Sequence, residues 1–127
     1  MSRIRTLIAG ALIISGMSGV ARAQNDLVLV FAGCAGRMSA EMEFAWLMRD
    51  PRADALQAQR QRFVTILDAV IPSGRAREAL GYRVEAKLAH SAILTTAHFA
   101  TDAKLSRLAK RQAQVNVQTC RNLLLEG

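Results

Sequence analysis

The sequence predicts an all-α protein, an antiparallel up-down-up-down four-helix bundle tied by one disulfide between its first and last helices. Three observations support this fold class. Alanine is abundant, and no stretch alternates apolar and polar residues as a strand would. The only two prolines, Pro51 and Pro72, lie where the helical spacing of apolar residues breaks. The only two cysteines, Cys34 and Cys120, fall in the first and last of the resulting segments.

Residues 1–23 have the pattern of a signal peptide. Arg3 and Arg5 precede an uncharged run over residues 7–20, and Ala21-Arg22-Ala23 supplies the small-x-small pattern at which signal peptidase cleaves. The run is shorter than a membrane span requires. We therefore expect cleavage after Ala23, no transmembrane anchor after cleavage, and a bacterial protein that is periplasmic or secreted. Residues 24–127 then form a single helical domain, and the net charge falls from +7 to +4.

Helix 1 is predicted from about Asp26 to Arg49. Apolar residues recur in it at steps of three and four, which places them on one face that we expect to be buried; they are Phe31, Cys34, Met38, Met42 and Ala45. Helix 2 is predicted from Pro51 to Val70, with Asp50 as its N-cap and Pro51 at its first helical position. Its expected inner face consists of Leu56, Phe63, Val64, Leu67 and Val70.

Helix 3 is predicted from about Arg75 to Phe99 and carries two apolar rows, so we expect it to pack on two sides and to be the most buried helix. One row is Leu80, Val84 and Leu88, and the other is Tyr82, Ala86, Ala89, Ile93 and Ala97. Helix 4 is predicted to begin at Thr101 or Asp102, since either side chain can act as an N-cap. Its expected inner face is Leu105, Leu108, Val115 and Leu123.

The two cysteines are predicted to form a disulfide, because oxidising compartments form and keep such bonds. In an up-down-up-down bundle, Cys34 and Cys120 lie within about one helical turn of the same level. Gly33, Ala35 and Gly36 flank Cys34 with little side-chain volume. We expect them to let helix 4 approach helix 1 closely, as a disulfide requires.

A second interpretation of Cys34 remains open. Phe31-Ala32-Gly33-Cys34 resembles the lipobox of bacterial lipoproteins, in which the cysteine becomes the lipid-modified N-terminus. That resemblance implies a lipoprotein anchored through Cys34, and it would leave Cys120 without a partner. Arg22 and Asp26 interrupt the apolar core that such a signal needs, so we prefer cleavage after Ala23.

Residues that bind metals elsewhere are present but poorly arranged for it. Met38, Met42 and the single tryptophan, Trp46, lie near one another on helix 1 and could form a soft-metal or small-ligand site. Methionines at this spacing are more typical of a packed core. His90 and His98 are eight residues apart, which does not put them on one helical face as a ligand pair. We predict two histidines on a polar face or at a helix end, and no metal site or cofactor.

No catalytic residue is predicted. Glu41 and Glu43 are two apart and point in different directions on a helix. Glu78 and Glu85 share a face, but Arg75 and other arginines surround them and make surface ion pairs the simpler explanation. The sequence has no phosphate-binding glycine loop and no nucleophile motif, and a bridged Cys34 cannot act as a nucleophile.

These observations favour a non-catalytic interaction module or accessory protein of the cell envelope, with an unidentified protein partner. It would use a helix groove or the arginine-rich helix junctions, such as the one at Arg49 and Arg52. The alternative is a periplasmic carrier of a small ligand or soft metal, held near Met38, Met42 and Trp46. A nucleic-acid partner is disfavoured, because the basic residues form no single-sign stripe with aromatics between them. The sequence leaves the oligomeric state open.

Overall fold

The computed structural model describes residues 18–125 and contains four α-helices within them. They are α1 (Ser18–Leu47), α2 (Ala53–Val70), α3 (Ala76–Phe99) and α4 (Ala103–Leu125). No strand occurs among these residues, so the all-α prediction is confirmed. α1 begins eight residues before its expected start at Asp26. Most of the predicted signal peptide, residues 1–17, lies outside the described residues, and export remains a prediction.

α1 and α2 run antiparallel. Phe31 packs against Phe63 with ring centroids 6.4 Å apart, and further along α1 the Arg60 guanidinium donates to Ser39 Oγ over 2.9 Å. Contacts that advance along α1 therefore move back along α2. The five residues between the two helices make the turn, as expected for antiparallel neighbours.

α3 runs parallel to α1 and antiparallel to α4. Glu41 contacts His90. Phe44, one turn further along α1, contacts His98, which is further along α3, with ring centroids 4.6 Å apart. Against α4, His90 contacts Asn116, whereas Ser106 donates from Oγ to the Ala97 carbonyl over 2.6 Å. These contacts establish the up-down-up-down order that the sequence predicts.

Cys34 and Cys120 form the predicted disulfide, with their Cα atoms 5.5 Å apart. The bond joins α1 to α4, and both sulfurs lie in the main core cluster with Met38, Phe63 and Leu67. No free cysteine remains among the described residues. The covalent link of the first helix to the last is therefore a feature of the folded chain.

α1, and not α3, is the central helix, because it packs against all three others. The expectation that α3 is the most buried helix is wrong. Leu80, Val84 and Leu88, which form one of its two apolar rows, are largely exposed. α3 instead buries a face of small residues with one histidine and one leucine, namely Ala79, His90, Leu94 and Ala97.

The small residues around Cys34 serve α3 and not α4, which corrects the sequence-based expectation. A Cβ added at Gly36 would lie only 2.2 Å from the Arg83 carbonyl oxygen of α3. A Cβ at Gly33 would meet the Tyr82 ring at 3.3 Å. Gly36 thus permits backbone-to-backbone contact between α1 and α3, and Gly33 makes room for the Tyr82 ring, uses of glycine that outweigh its low helix propensity here.

Of the two aspartates predicted as N-caps, one is confirmed and the other is not. Asp102 caps α4 as expected, since its Oδ1 accepts from the backbone N–H groups of Lys104 and Leu105 at 2.8 and 3.2 Å. Asp50 does not cap α2, because α2 begins at Ala53 and Pro51 lies in the preceding turn. Asp50 stabilises that turn instead, by accepting from the Arg52 backbone N–H at 2.9 Å.

α4 buries a different face from the expected one. Its buried residues are Ala113, Val117 and Cys120. Of the row that we expected inside, Leu105, Leu108 and Val115 are exposed, and only Leu123 packs against the core, where it is partly buried. On α2, by contrast, Leu56, Phe63 and Leu67 are buried as expected, Val64 is partly buried, and Val70 is exposed.

Candidate functional site

A groove of about 590 Å³ opens between α2 and α4, and we call it the α2/α4 groove. α2 and α4 both approach α1, but they do not approach each other closely along their backbones. Toward the far end of α4, the Arg121 guanidinium donates to Gln59 over 3.2 Å and bridges the gap. The groove is therefore the place where the fourth side of the bundle is left open.

The floor of the groove is apolar and is supplied by α2, α3 and α4. It contains Leu56, Leu94, Ala97, Ala113 and Val117, all of which are buried. Two of these five residues are alanines, so the floor lacks the side-chain volume that would close the space. A concave apolar surface of this kind is typical of a binding site.

The rim of the groove is polar and mainly cationic. Arg52, which directly precedes α2 and pairs with Asp50, lines it together with Lys110, Arg121, Gln114 and Gln118 of α4. Glu41 is the one acidic side chain that lines it. Basic side chains around an apolar floor favour a ligand that is both apolar and anionic.

Glu41 is held in place by a buried histidine. The His90 ring is 1% exposed, and its Nε2 lies 2.8 Å from Glu41 Oε1. Asn116 Nδ2 lies 3.5 Å from the other ring nitrogen, Nδ1, and Asn116 Oδ1 accepts from Gln112 at 2.8 Å. Because Asn116 presents its amide hydrogens to Nδ1, the ring proton belongs on Nε2, from which His90 donates to Glu41. Each side chain therefore donates to the next, from Asn116 on α4 to His90 on α3 and from His90 to Glu41 on α1.

The prediction that His90 lies on a polar face or at a helix end is wrong, whereas His98 lies in the last turn of α3 as expected. A signal for His90 was present in the sequence. Ala79, Ala86, His90 and Ala97 follow the heptad-like spacing of a packed helix face, with His90 inside that row. Ala86 and Ala97 belong to one of the two predicted rows of helix 3, whereas Ala79 and His90 belong to neither.

The buried hydroxyl of Ser39 and the two cysteines have partners elsewhere in the bundle. Ser39 Oγ donates to the Ala35 carbonyl and accepts from Arg60 on the α2 side of α1. Both described cysteines are oxidised. The contact with His90 fixes the position of the Glu41 carboxylate beside the groove.

The methionine-rich face of α1 does not form the pocket that a ligand carrier was expected to have. Met38 and Met42 are buried in the main core cluster, and neither lines the α2/α4 groove. Trp46 is 49% exposed and does not line the groove either. Among the described residues, no group of three or more His, Cys, Asp or Glu is arranged to hold a metal ion.

Several charged side chains are engaged in surface ion pairs. Glu43 accepts from Lys87 at 2.6 Å, so it and Glu41 contact different residues of α3. Arg75 pairs with Glu78 at 2.8 Å, which agrees with the ion-pair interpretation. The pair lowers the pKa of Glu78 below its ordinary value, mainly through the hydrogen bond from Arg75.

Comparison with protein-family models, with characterised proteins and with solved structures gives no match to this chain. No helix within the described residues has the length and hydropathy needed to cross a bilayer. The geometry and charge of the α2/α4 groove and of the surfaces around it are the features that bear on function.

Proposed function

We propose that this protein is a non-catalytic interaction module that binds an acidic amphipathic helix of a partner protein in the α2/α4 groove. The observation that carries the proposal is the apolar floor bordered by Arg52, Lys110 and Arg121. An amphipathic helix would place its apolar side chains on that floor and its acidic ones against the basic rim.

The open side of the bundle favours a helical occupant. α2 and α4 run parallel to each other and leave a gap between them, with Leu56 on the α2 side of the floor and Val117 on the α4 side. A helix laid between them would contact the apolar floor and cover Val115, a lining residue that is 53% exposed. Arg121 and Gln59 would bound it at one end, because their hydrogen bond closes the gap there.

We place the protein in an oxidising compartment of a bacterial envelope, the periplasm or the exterior. The Cys34–Cys120 disulfide supports this placement, because such bonds persist where thiols are not kept reduced. The signal-peptide pattern over residues 1–23 supports it independently. With Cys34 bridged, lipid attachment at that sulfur is disfavoured.

A small-ligand carrier is the second candidate, and the size of the groove favours it. A volume of about 590 Å³ lies within the range of small-molecule sites, which is roughly 300–1,000 Å³. The soft-metal version is less well supported, because Met38 and Met42 are packed in the core. Native mass spectrometry of the purified protein would detect a retained ligand.

Two designed peptides test the proposed function. One has leucines on one helical face and glutamates on the other, and its twin carries lysine in place of every glutamate. We expect the glutamate peptide to bind, as measured by fluorescence anisotropy, and the lysine peptide to bind at least about tenfold more weakly, because the basic rim repels it. Equal binding of the two peptides would overturn the proposal.

Lys110 and Arg111 provide a matched pair of variants on α4. Both are exposed and adjacent, but only Lys110 lines the groove. We expect Lys110→Glu to weaken binding of the glutamate peptide about fivefold and Arg111→Glu to change it less than about twofold. Equal losses in the two variants would show that net charge, and not the groove, attracts the peptide.

A further inference from the structure

A second surface, separate from the groove floor, lies at one end of the bundle. Five large apolar side chains are exposed there, between 45% and 72% each, and we call them the apolar tip: Trp46, Leu47, Met48, Phe99 and Leu105. Isolated exposed apolar residues are ordinary on protein surfaces. A group of five, three of them consecutive, at one end of a small domain is not.

The contacts between helices bring these residues to the same end. Phe44, one turn before Met48 on α1, packs against Phe99 with ring centroids 6.3 Å apart. The hydrogen bond from Ser106 to the Ala97 carbonyl holds the first turn of α4 against the last turns of α3. Leu105 lies in that first turn, directly after the Asp102 cap. The tip therefore combines the ends of α1 and α3 with the start of α4.

The exposed charges at this end are mainly cationic. Arg49, Lys104 and Arg107 are exposed on the segments that form the tip. Asp50 pairs with Arg52 at 2.6 Å, and Asp102 accepts backbone hydrogen bonds at the start of α4, whereas Asp54 in the first turn of α2 is exposed. An apolar centre with an excess of exposed cations is complementary to an anionic surface that has an apolar layer beneath it.

Arg49 provides an independent observation. α1 ends in a Schellman motif, in which the Asp50 N–H donates to the Ala45 carbonyl at 2.8 Å and the Arg49 N–H to the Trp46 carbonyl at 3.1 Å. Arg49 occupies the left-handed position of that motif, with φ of 54°, where glycine is the usual residue. A long cationic side chain is thus present at a position where it weakens the fold, which points to a role outside stability.

We propose that the apolar tip docks this protein onto an anionic lipid bilayer. Trp46, Leu47 and Phe99 would enter the region between headgroups and acyl chains, where amphipathic aromatic rings are favoured. Arg49, Lys104 and Arg107 would contact the anionic headgroups. The α2/α4 groove would stay accessible to a partner along the side of the bundle, because it extends away from this end to Val117 and Arg121.

Trp46 is the only tryptophan of the chain, so its fluorescence reports on the tip directly. The probes are vesicles of phosphatidylcholine mixed with phosphatidylglycerol, and vesicles of phosphatidylcholine alone. We expect the emission of the oxidised full-length protein to shift to shorter wavelength with the mixed vesicles, and much less with the neutral ones. No shift, or an equal shift with both, overturns the proposal. A shift that depends on protein concentration without vesicles also overturns it, by assigning the tip to contact between two copies.

Leu47→Glu and Leu88→Glu form a matched pair for vesicle sedimentation. Both leucines are exposed at helical positions, but Leu88 lies in the middle of α3 and away from the tip. We expect Leu47→Glu to lower binding to the vesicles at least about tenfold, because one leucine side chain would no longer be buried in the bilayer. We expect Leu88→Glu to leave binding unchanged. All variants share the same N-terminal segment, so the difference between them reports the tip. Equal effects of the two would overturn the proposal.

Arg49→Gly separates a binding role from a structural one. Glycine relieves the left-handed backbone, so we expect the thermal midpoint of unfolding to rise. Loss of one interfacial cation should weaken binding to the mixed vesicles about fivefold. A variant that is more stable and binds less tightly supports docking through the tip, whereas unchanged binding contradicts it.

Discussion

The buried ring of His90 donates from Nε2 to Glu41 Oε1 over 2.8 Å and so joins α3 to the central helix α1. Asn116 approaches the other ring nitrogen from α4, which makes His90 the point where three helices share one polar network. A buried network of this kind specifies the register of the helices only while each member keeps its partner.

His90→Ala should destabilise the protein by about 3 kcal/mol, because it opens a cavity and leaves Glu41 without its donor. The free energy of unfolding in urea measures the loss. His98→Ala is the control, since His98 is exposed at the end of α3, and it should cost less than about 1 kcal/mol. His90→Gln, which keeps a donor, should fall between the two. Equal losses for His90→Ala and His98→Ala would contradict the role of the network.

Gly36→Ala should destabilise the protein by about 2–3 kcal/mol, because the new methyl group would overlap the Arg83 carbonyl and push α1 away from α3. Gly81→Ala is the matched change. It lies inside α3 with no atom within 4 Å of the added Cβ, so it should stabilise the protein by about 0.5–1 kcal/mol. Thermal unfolding of both variants measures the difference. If the two changes had the same sign, the close contact of α1 and α3 would be disproved.

Replacing both cysteines, as Cys34→Ala with Cys120→Ala, should lower the free energy of unfolding by on the order of 4 kcal/mol, because the bond closes a loop of 86 residues. Urea unfolding of the oxidised, reduced and double-variant proteins gives the comparison. Reduction should shift the transition of the unmodified protein and leave that of the double variant unchanged. A shift of both by the reductant would indicate an effect unrelated to this bond.

Asp50 gives the turn between α1 and α2 a dependence on pH. The hydrogen bond from the Arg52 side chain, followed by that from the Arg52 backbone N–H, lowers the pKa of Asp50 from 3.8 to about 2. The folded-state pKa is depressed, so the stabilisation is present above pH 4 and is lost as the pH falls to about 2. Asp50→Asn should unfold at a slightly lower temperature than the unmodified protein near pH 6. The gap should close by pH 2, and a constant gap would refute this origin.

The helices and the disulfide could be predicted from the sequence because each depends on a local or covalent signal. Pro51 and Pro72 mark breaks in apolar spacing, and the two cysteines fall at compatible levels of an antiparallel bundle. The short turns then leave few topologies to consider. α3 and α4 accordingly begin within a residue or two of their expected starts.

The buried faces of α3 and α4 were predicted less well. Gly36 brings α1 so close to the backbone of α3 that a small side chain, Ala86, faces it. Leu80 and Leu88 are exposed. On α4, the disulfide at Cys120 determines which face is buried, and Val117 and Ala113 lie on that face three and seven residues before it.

The candidate site could not be read from one helix at a time. The α2/α4 groove exists because α2 and α4 both pack on α1 but do not pack on each other. The spacing of apolar residues within α2 or α4 does not indicate that gap. Lys110 and Arg121 look like ordinary solvated charges until the fold places them on one rim. Of the polar side chains at the site, only His90 could be predicted to be buried, from the spacing of the alanines around it.

The disulfide has a consequence for proteolysis. All three turns between helices lie within the loop that Cys34 and Cys120 close. A protease that cuts one peptide bond in the exposed turn at Pro72, Ser73 and Gly74 would leave the two fragments covalently attached. The nicked protein would migrate as a single band on a gel until a thiol reductant separated it, and both pieces would remain available to re-form the bundle.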